Sequence, residues 1–429
     1  MVTKIKIWGI SVGVLLWNKD SGHGVFEFDS EFERHNWDIS PIKMPLTLLR
    51  NGQRIFSFRG LPYNTFKGLP GLLADSLPDN FGNSIIDAWL ASEGRNPDSF
   101  SPADRLCYIG SRGMGAMEFE PMLSESKIKS DPLELSALVK LANEILKQRE
   151  EIKTNLRAKR TTSLNEIIQI GTSAGGARAK AIIALNEKTG EVRSGQVAAP
   201  KGFSHWILKF DGVNNTALGA SKGYGRIEYA YFLMAKDCGI EMSECRLLEE
   251  GGRAHFITKR FDRLGANKRL HMQTLCGLAH YDYNDANTYS YEQAFQVMRQ
   301  LRLSYQNAEQ LFTRMVFNVK AFNNDDHTKN ISFLMNEAGE WRLSPAYDVT
   351  FSHNPDNIWL KRHQMSVNGK REQITNVEIL KVAHEMNIRK PQIIIDQIVS
   401  VLLNWKKYAA QGGVTKEQIS AIAKLISIK

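Results

Sequence analysis

With 429 residues, of which 42% are hydrophobic and 24% are charged, the chain is long enough to form two or three globular subdomains with large cores. Its four cysteines form no C-x-x-C pair, which argues against a disulfide framework or a zinc knuckle and favours reduced thiols in the cytoplasm. The net charge of +9 permits polyanionic partners such as nucleotides, tRNA or DNA without identifying one, because charge governs association and not fold.

The N-terminal residues have the alternation of a β-hairpin. Lys4–Trp8 alternates polar and apolar side chains, and Val25–Asp29 resumes as a strand after a turn-forming run at 18–22. Two lysines before the apolar run Ile10–Trp17 could mimic a signal peptide, but no small-residue cleavage site follows. We therefore expect a hairpin, and the absence of any run of about 18 apolar residues predicts no membrane span.

Helix signals complete a small N-terminal domain. The run Asn83–Leu90 predicts one helix, and Ser-Pro-Ala-Asp at 101–104 supplies the cap, the first-position proline and the first-turn acid of another. A linker helix is expected next, with Asp131 as its cap, a proline directly after the cap and an apolar face beyond it. Its charged end at 147–160 marks the boundary to the following domain.

A glycine-rich loop lies between two apolar, strand-like runs within Ile167–Leu185. Gly171, Gly175 and Gly176 allow close approach of the backbone, and successive N–H groups in such a loop can surround phosphate oxygens. The loop is not a Walker A motif, since Ala-Arg follows Gly176 where Gly-Lys would be required. A phosphate loop and a plain glycine hairpin both fit this stretch.

The strand predicted at His205–Phe210 carries one lysine, Lys209, among apolar neighbours. Such a lysine either extends from a sheet edge or points into a polar pocket, and in kinases it pairs with nucleotide phosphates and a helix glutamate. A helix predicted at Ile227–Cys238 has Glu228 in its first turn, where a favourable helix-dipole charge is the simpler explanation. The strand predicted at Ala254–Asp262 then enters a polar connection where a nucleotide hinge would lie.

Asp325 and Asn330 stand five positions apart, the D-x-x-x-x-N spacing of a kinase catalytic loop. In that loop the aspartate orients the acceptor hydroxyl and takes its proton, and the asparagine holds Mg²⁺. The strands predicted at Ile331–Leu334 and Trp341–Leu343 form a hairpin that would bring Asp348 beside Asn330 as a second oxygen ligand. Taken alone, the spacing is a weak signal, because runs such as NNDD are usually solvated turns.

These features follow the order of a kinase, and their motifs resemble those of the HipA family, bacterial serine/threonine protein kinases that act as toxins of type II toxin–antitoxin systems. LLADSLPDNFGN resembles the N-terminal subdomain of the family. The other resembling motifs are GTSAGGARAKA, HWILKF, RIEYAYFLMAKDCGI, ITKRFDR, NNDDHTKNISFL and SPAYDV.

The resemblance implies an α+β, two-lobed protein-kinase-like fold with a small β-rich N-terminal subdomain and an all-helical C-terminal part. The expected parts are an N-terminal subdomain at 1–125, a linker helix at 126–160, an N-lobe-like part with the phosphate loop at 161–265 and a helical catalytic lobe at 266–429.

The resemblance also implies roles for individual residues. Asp325 would be the catalytic aspartate, Asn330 and Asp348 would bind Mg²⁺, and Ser173 matches the position that the family autophosphorylates to inactivate itself. Lys209 would contact the ATP phosphates, and Lys259 to Phe261 would hold the adenine. The full set expected at the ATP site is Gly171, Ala174, Gly175, Gly176, Ala177, Lys180, Lys209, Lys259, Phe261 and Asn330.

The resemblance implies macromolecular partners as well. Family members phosphorylate aminoacyl-tRNA synthetases and bind a helix-turn-helix antitoxin of the HipB type, which would connect the chain indirectly to operator DNA. Two other functions remain open: a nucleotide-binding corepressor without kinase turnover, and a small-molecule or lipid kinase. No basic amphipathic segment of a lipid-binding type supports the lipid substrate.

Several residues outside these motifs have open or structural roles. Asp326, beside the catalytic aspartate, either shares the metal or faces solvent, and His327 is expected to be structural. The tail predicts one amphipathic helix at Ile393–Tyr408, a break at Gly412-Gly413, and a Thr415/Gln418 capping box for a last helix. Its basic residues are Arg389, Lys390, Lys406 and Lys407, for which a solvated face is a simpler interpretation than contact with DNA phosphates.

Overall fold

The structure is a computed structural model that describes residues 2–123, 132–140, 142, 179–196, 199–212, 222–265 and 268–426. The chain divides into two compact units. Unit 1 comprises Met1–Lys222, Leu248–Met272 and Met335–Gly339, and unit 2 comprises Gly223–Leu247, Gln273–Leu334 and Glu340–Lys429. Among the described residues, no helix combines the length and the apolar character needed to cross a membrane. The finer four-part division expected from the sequence stays a prediction.

A five-stranded sheet in the order β4-β3-β2-β1-β5 forms the N-terminal part of unit 1, and its neighbouring strands are antiparallel. Its strands are β1 (Val2–Ile7), β2 (Ile10–Asn18), β3 (His23–Phe28), β4 (Ile55–Phe56) and β5 (Met117–Glu120). The predicted hairpin is therefore confirmed. The apolar run after the two lysines is strand β2, which buries Val12, Leu15 and Trp17.

Short helices join these strands, and capping side chains set where the longer ones begin. The helices are α1 (Leu46–Arg50), α2 (Tyr63–Phe66), α3 (Gly71–Ala74), α4 (Asn80–Ser92) and α5 (Pro102–Ile109), with 3₁₀ turns at Phe32–His35 and Pro97–Ser99. Asp79 caps α4 by accepting a hydrogen bond from the Gly82 N–H at 2.7 Å. Ser101 and Asp104 form a complete capping box at α5, as the sequence predicts.

A second five-stranded sheet of the order β7-β6-β8-β10-β9 carries the lysines of the predicted ATP site. Its strands are β6 (Lys180–Asn186), β7 (Val192–Ser194), β8 (Phe203–Lys209), β9 (Cys245–Glu250) and β10 (Arg253–Lys259), and a small ribbon of β11 (Arg263–Leu264) and β12 (Lys268–Arg269) follows. The strands predicted at His205–Phe210 and Ala254–Asp262 are confirmed as β8 and β10.

The linker helix begins later than the sequence predicts. Residues 135–140 and 142 are helical, whereas Pro132 forms an antiparallel bridge with Arg193 and the Leu133 N–H donates to the Val192 carbonyl at 2.8 Å. The residues expected in the first helical turn therefore extend the edge of the second sheet. The predicted cap, Asp131, lies outside the described residues.

Unit 2 is mostly helical and holds most residues of a small sheet of the order β13-β14-β15. Its helices are α6 (Tyr224–Asp237), α7 (Leu275–Ala279), α8 (Tyr291–Gln300), α9 (Tyr305–Lys320), α10 (Asn376–Glu385), α11 (Pro391–Leu402), α12 (Trp405–Gln411) and α13 (Lys416–Ile426). The sheet strands are β13 (His271–Thr274), β14 (Ser332–Met335) and β15 (Trp341–Leu343). Strands β14 and β15 confirm the hairpin predicted after the catalytic loop.

Helix α6 begins three residues before the predicted start, which moves Glu228 out of the first turn. Gly223 adopts a left-handed conformation (φ +66°) and starts the helix at Tyr224, so the expectation of a first-turn glutamate was wrong. The side chain of Glu228 is buried, so it does not act as a solvent-exposed charge near the N-terminus of the helix.

Packing in unit 2 fixes the end of α9, from which the predicted catalytic loop emerges. Tyr231 of α6 is fully buried and contacts the rings of Phe317 and Trp405, with centroid distances of 6.1 and 5.6 Å. Its hydroxyl donates to the Ala321 carbonyl at 2.7 Å, which satisfies an acceptor that the helix end leaves open. Tyr231 of α6 therefore contacts both α12 and the C-terminal end of α9.

The C-terminal tail contains two helices where the sequence predicts one. The periodic run Ile393–Tyr408 is interrupted at Leu403 and Asn404, between α11 and α12. The bend allows Trp405 to bury its ring against Tyr231, a tertiary contact that outweighs continuation of the helix. The expected break follows at Gly412-Gly413, and the Thr415 hydroxyl caps the last helix at the Gln418 N–H.

Candidate active site

The predicted catalytic loop is a closed turn between α9 and β14. Phe322 has a left-handed backbone (φ +57°), which turns the chain sharply after α9, and a 3₁₀ turn at Thr328–Asn330 ends the loop. The Asn330 side-chain N–H donates to the main-chain carbonyl of Asp325 at 2.6 Å. The two residues of the D-x-x-x-x-N spacing are therefore held together directly.

The two adjacent aspartates of the loop have opposite environments. The side chain of Asp325 is 48% exposed, so its carboxylate is accessible to an acceptor hydroxyl. His327 lies nearby, with its Nε2 3.9 Å from the Asp325 carboxylate, beyond hydrogen-bond distance, and its ring contacts Tyr283 at 5.5 Å. The side chain of Asp326 is 1% exposed.

Asp326 is a buried, hydrogen-bonded carboxylate, and neither of the two roles expected for it from the sequence fits. It accepts hydrogen bonds from the Tyr291 hydroxyl at 2.8 Å and from the Gln364 N–H at 2.8 Å, and His363 Nδ1 lies 3.0 Å away. A carboxylate that is buried and bonded in this way does not face solvent. Its oxygens are also already engaged by protein groups, which argues against a share in the metal.

The segment that contains Asp348 is hydrogen-bonded to the catalytic loop. The Tyr347 hydroxyl donates to the Lys329 carbonyl at 2.6 Å, next to Asn330, and the Asn323 amide donates to the Asp348 carbonyl at 3.4 Å. Asp348 itself has a left-handed backbone (φ +53°), a conformation that residues other than glycine rarely adopt and that is enriched at functional sites. These contacts bring the segment that contains Asp348 back to the loop, and a carboxylate beside Asn330 as a second metal ligand stays a prediction.

The side chains at this position fit Mg²⁺ by their chemistry. The Asn330 N–H is directed to the Asp325 carbonyl, so its amide oxygen is the atom that can bind a metal, and Asp348 adds a carboxylate. Within the described part of the chain, no group of three or more His, Cys, Asp or Glu side chains could hold a metal. A Mg²⁺ ion here would therefore use two protein ligands together with phosphate and water oxygens, which is its common mode.

In unit 1, two buried lysines face each other across neighbouring strands. Lys180 of β6 is directly opposite Lys209 of β8, and both are buried. The Lys209 ammonium also lies 5.5 Å from the centre of the Phe256 ring. Two ammonium groups in these cross-strand positions can both donate hydrogen bonds to phosphate oxygens. The pair therefore suits phosphate oxygens.

The structure describes only some of the other residues of the predicted ATP site. The Lys259 ammonium pairs with Glu187 at 2.6 Å and lies over the Trp206 ring, so adenine contacts from this residue would come from its main chain. Phe261 is partly buried. Six of the predicted residues lie outside the described residues: Gly171, Ser173, Ala174, Gly175, Gly176 and Ala177.

Sequence reasoning missed the residues that surround Asp326. Tyr291, His363 and Gln364 are separated from it by 35, 37 and 38 positions, and none belongs to a recognisable motif. The local signal that could have found them is the Ser290/Gln293 capping box, which places Tyr291 at the start of α8.

Comparison with solved structures identifies the fold. HipA of Shewanella oneidensis MR-1, in a toxin–antitoxin complex with HipB and its operator DNA, is similar with a TM-score of 0.66 and 16% identity, covering 99% of this chain and 95% of that chain. The Helicobacter pylori proinflammatory kinase CtkA has a TM-score of 0.32 and 14% identity over 53% of this chain and 90% of that chain, too low to carry an argument. The chain has the α+β, kinase-like fold of HipA.

Family profiles match both parts of the sequence. Residues 3–120 match the HipA N-terminal domain, and residues 172–406 match the HipA-like C-terminal domain. No curated protein matches the chain. The C-terminal match alone covers more than half of the 429 residues and includes Lys209, Asp325, Asn330 and Asp348. The chain belongs to the HipA family.

Proposed function

We propose that this protein is an ATP-dependent serine/threonine protein kinase of the HipA type. The observation that carries the proposal is the closed catalytic loop, in which Asn330 is bonded to Asp325 while the Asp325 carboxylate stays accessible. Membership of the HipA family and the return of Asp348 to the same loop support it.

In the proposed reaction, the acceptor hydroxyl donates a hydrogen bond to the Asp325 carboxylate, which orients its oxygen toward the γ-phosphorus of ATP. A bond forms between that oxygen and phosphorus, the bond to the ADP oxygen breaks, and the hydroxyl proton passes to Asp325 and then to solvent. Asp325 thus supplies position and a proton acceptor, and most of the rate comes from holding the reactants in line.

Charge stabilisation is the second contribution of the chain. Lys180 and Lys209 would place two positive charges against phosphate oxygens and stabilise negative charge on the transferring group. Asn330 and Asp348 would hold Mg²⁺, which neutralises phosphate charge when it is bound. The glycine-rich loop at 171–177 would add backbone N–H groups.

We further propose that Ser173 is the site of inactivating autophosphorylation. A phosphate there would carry about −1.5 to −2 charges at neutral pH and would compete for the N–H groups that bind ATP. The proposal rests on the family resemblance of the loop and on the position of a hydroxyl residue among its glycines.

As partners, we propose a helix-turn-helix antitoxin of the HipB type, operator DNA reached through that antitoxin, and a protein substrate from translation, such as an aminoacyl-tRNA synthetase. The similar Shewanella structure contains HipB and operator DNA, which supports the first two. The substrate rests on the family alone, as does action as a toxin in the cytoplasm.

One experiment identifies the substrate and separates the proposal from its alternatives. Phosphoproteomics after induced expression of the wild type and of Asp325→Asn should reveal phosphosites that depend on Asp325. The expected result is a small set of serine or threonine sites in one or a few proteins. An ATP turnover assay on the purified protein separates the alternatives: turnover without any protein phosphosite would favour a small-molecule or lipid kinase, and the absence of turnover would favour a corepressor.

A further inference from the structure

The segment Ser352–Ser366, here called the retaining segment, is bonded to consecutive residues of the catalytic loop. The Ser352 N–H donates to the Phe322 carbonyl at 3.0 Å, and the Ser352 hydroxyl donates to the Asn323 side chain at 3.1 Å. The Asn324 amide donates to the Leu360 carbonyl at 2.9 Å. The segment follows Asp348 in sequence, where protein kinases have their activation loop.

Asp326 makes the most buried of these contacts. One carboxylate oxygen accepts from the Gln364 N–H, and the other meets both the Tyr291 hydroxyl and His363 Nδ1. Arg371 adds a second attachment, because its guanidinium donates to the Gln364 and Tyr289 carbonyls. The retaining segment is therefore attached to Asp326, the residue that directly follows Asp325.

The same hydrogen-bond network extends to the main chain of Asp348, the predicted Mg²⁺ ligand. The Asn318 amide donates to the Tyr291 hydroxyl at 2.9 Å, and the Asn323 amide donates both to Asn318 at 2.9 Å and to the Asp348 carbonyl at 3.4 Å. Burial, together with the neighbouring Asp326 carboxylate, raises the pKa of Tyr291 well above its ordinary value. Tyr291 thus stays protonated and able to donate at physiological pH.

We infer that Asp326 is a positioning residue for phosphoryl transfer: it holds the retaining segment against the catalytic loop and thereby fixes the Asp325 carboxylate. This inference rests on the proposed kinase function. In many protein kinases, phosphorylation orders the activation loop through new contacts with arginine. Here a carboxylate built into the chain supplies the contacts, so docking of the retaining segment requires no phosphate on it.

Loss of this carboxylate should affect rate more than nucleotide binding. Without Asp326, the buried Gln364 N–H and Tyr291 hydroxyl lose their acceptor, and the segment and the loop can separate. A shift of about 1 Å in a catalytic group costs roughly 10²-fold in rate. The lysines proposed to bind phosphate, Lys180 and Lys209, belong to unit 1, whereas Asp326, Tyr291 and the retaining segment belong to unit 2.

The test compares four variants with the wild type: Asp326→Ala, Asp326→Asn, Tyr291→Phe and, as a control, Ile398→Ala. Ile398 is fully buried in α11 and belongs to no part of the network, so its loss lowers stability without altering the loop. The measurements are kcat and KM for ATP, together with hydrogen exchange of peptides covering 318–330 and 352–366 in the ATP-free proteins.

We expect kcat of Asp326→Ala to fall roughly 10²-fold, with KM for ATP within about threefold of the wild type. Both peptides should exchange faster, while exchange in α11 stays unchanged. Asp326→Asn keeps an acceptor for the Gln364 N–H and should recover part of the loss. Tyr291→Phe removes a single hydroxyl, so it tests the network even where Asp326→Ala fails to fold. Ile398→Ala should lower stability and leave kcat within about threefold.

The inference is overturned by a kcat of both Asp326→Ala and Tyr291→Phe within about threefold of the wild type, or by unchanged exchange in the two peptides. A fall in kcat no larger than that of Ile398→Ala would likewise show a merely structural role. These failures differ from failure of the proposed function, in which the wild type itself transfers no phosphoryl group. In that event the exchange data alone decide whether Asp326 holds the segment.

Discussion

The side-chain N–H of Asn330 donates to the main-chain carbonyl of Asp325 at 2.6 Å. This bond joins the two ends of the D-x-x-x-x-N run and directs the Asn330 amide oxygen away from it. Asn330 therefore has two functions in our account: it closes the loop around Asp325, and it presents an oxygen ligand for Mg²⁺.

Asn330→Ala removes both functions and should lower phosphoryl transfer by roughly 10²-fold or more, with a higher Mg²⁺ concentration needed for half-maximal rate. A Mg²⁺ titration of the initial rate measures both effects. Asn404→Ala, which removes an exposed asparagine whose amide donates to the Ser400 carbonyl, is the matched control. An unchanged Mg²⁺ requirement in Asn330→Ala would remove this residue from the metal site.

Asp348→Asn should abolish transfer and leave the fold intact. The substitution keeps the size of the side chain and replaces only the carboxylate that we assign to Mg²⁺, so the rate of transfer should fall far more than the free energy of unfolding of the apo protein. Urea unfolding with and without Mg²⁺ checks this expectation, since Mg²⁺ should stabilise the wild type and not the variant. Transfer within about tenfold of the wild type would contradict the assignment.

Lys209→Met should lower ATP affinity and the rate of transfer more than it lowers the stability of the protein. Lys209 is directly opposite Lys180 in the neighbouring strand, so the substitution removes one of the two charges that we propose to bind phosphate. ATP titration and thermal unfolding measure the two effects, with the exposed Lys188→Met as control. A variant that unfolds yet still binds ATP would show that Lys209 is structural and that the site lies elsewhere.

Ser173 gives a prediction that mass spectrometry can decide. Purified wild type incubated with ATP should gain one phosphate and bind ATP more weakly, because the new charge competes with nucleotide phosphates. Ser173→Ala and Asp325→Asn should both stay unmodified. A phosphate that persists in Ser173→Ala would place the modified residue elsewhere.

A buried ion cluster in unit 1 predicts a large effect on stability. Asp262 is fully buried between Arg260 and Arg263, with nitrogen–oxygen distances of 2.6 Å to each, and accepts from the Gly115 N–H at 2.7 Å. Burial raises the pKa of Asp262, but the two guanidiniums and the backbone bond outweigh it and hold the pKa well below its ordinary value. The cluster ties the loop at 113–115 to the segment after β10.

Asp262→Asn should lower the free energy of unfolding by about 3–5 kcal/mol, because it leaves two buried guanidiniums without their counter-charge. The stabilisation by a carboxylate of depressed pKa is present above its unfolded value of about 4 and is lost as the pH falls toward the folded value. Urea unfolding at about pH 7 and at about pH 3 should therefore show a smaller difference from the wild type at the lower pH. Asp20→Asn, in an exposed turn, serves as control.

Features of the fold that depend on a few neighbouring residues were predictable from the sequence. The N-terminal hairpin, the capping box at Ser101 and the hairpin after Asn330 each depend on side chains only a few positions apart. The catalytic spacing is equally local, so the pairing of Asp325 with Asn330 follows from the order of residues along the chain.

Features that depend on distant contacts were not predictable. The role of Asp326 depends on Tyr291 and Gln364, which only tertiary packing brings near it. The interruption before Trp405 likewise depends on Tyr231, far earlier in the chain, whereas the apolar periodicity continues through the break. Glu228 was assigned to the wrong turn because glycine at position 223 starts α6 earlier than the apolar pattern indicates.

The most direct test of the account is the initial rate of γ-phosphoryl transfer from labelled ATP to proteins of a host lysate, for the wild type and for Asp325→Asn. We predict that the wild type labels serine or threonine residues and that the variant loses roughly 10³-fold or more in rate while it still binds ATP. Asp325→Asn keeps the main-chain carbonyl that Asn330 bonds, so the loop should remain closed. A rate within about tenfold of the wild type would contradict the central claim.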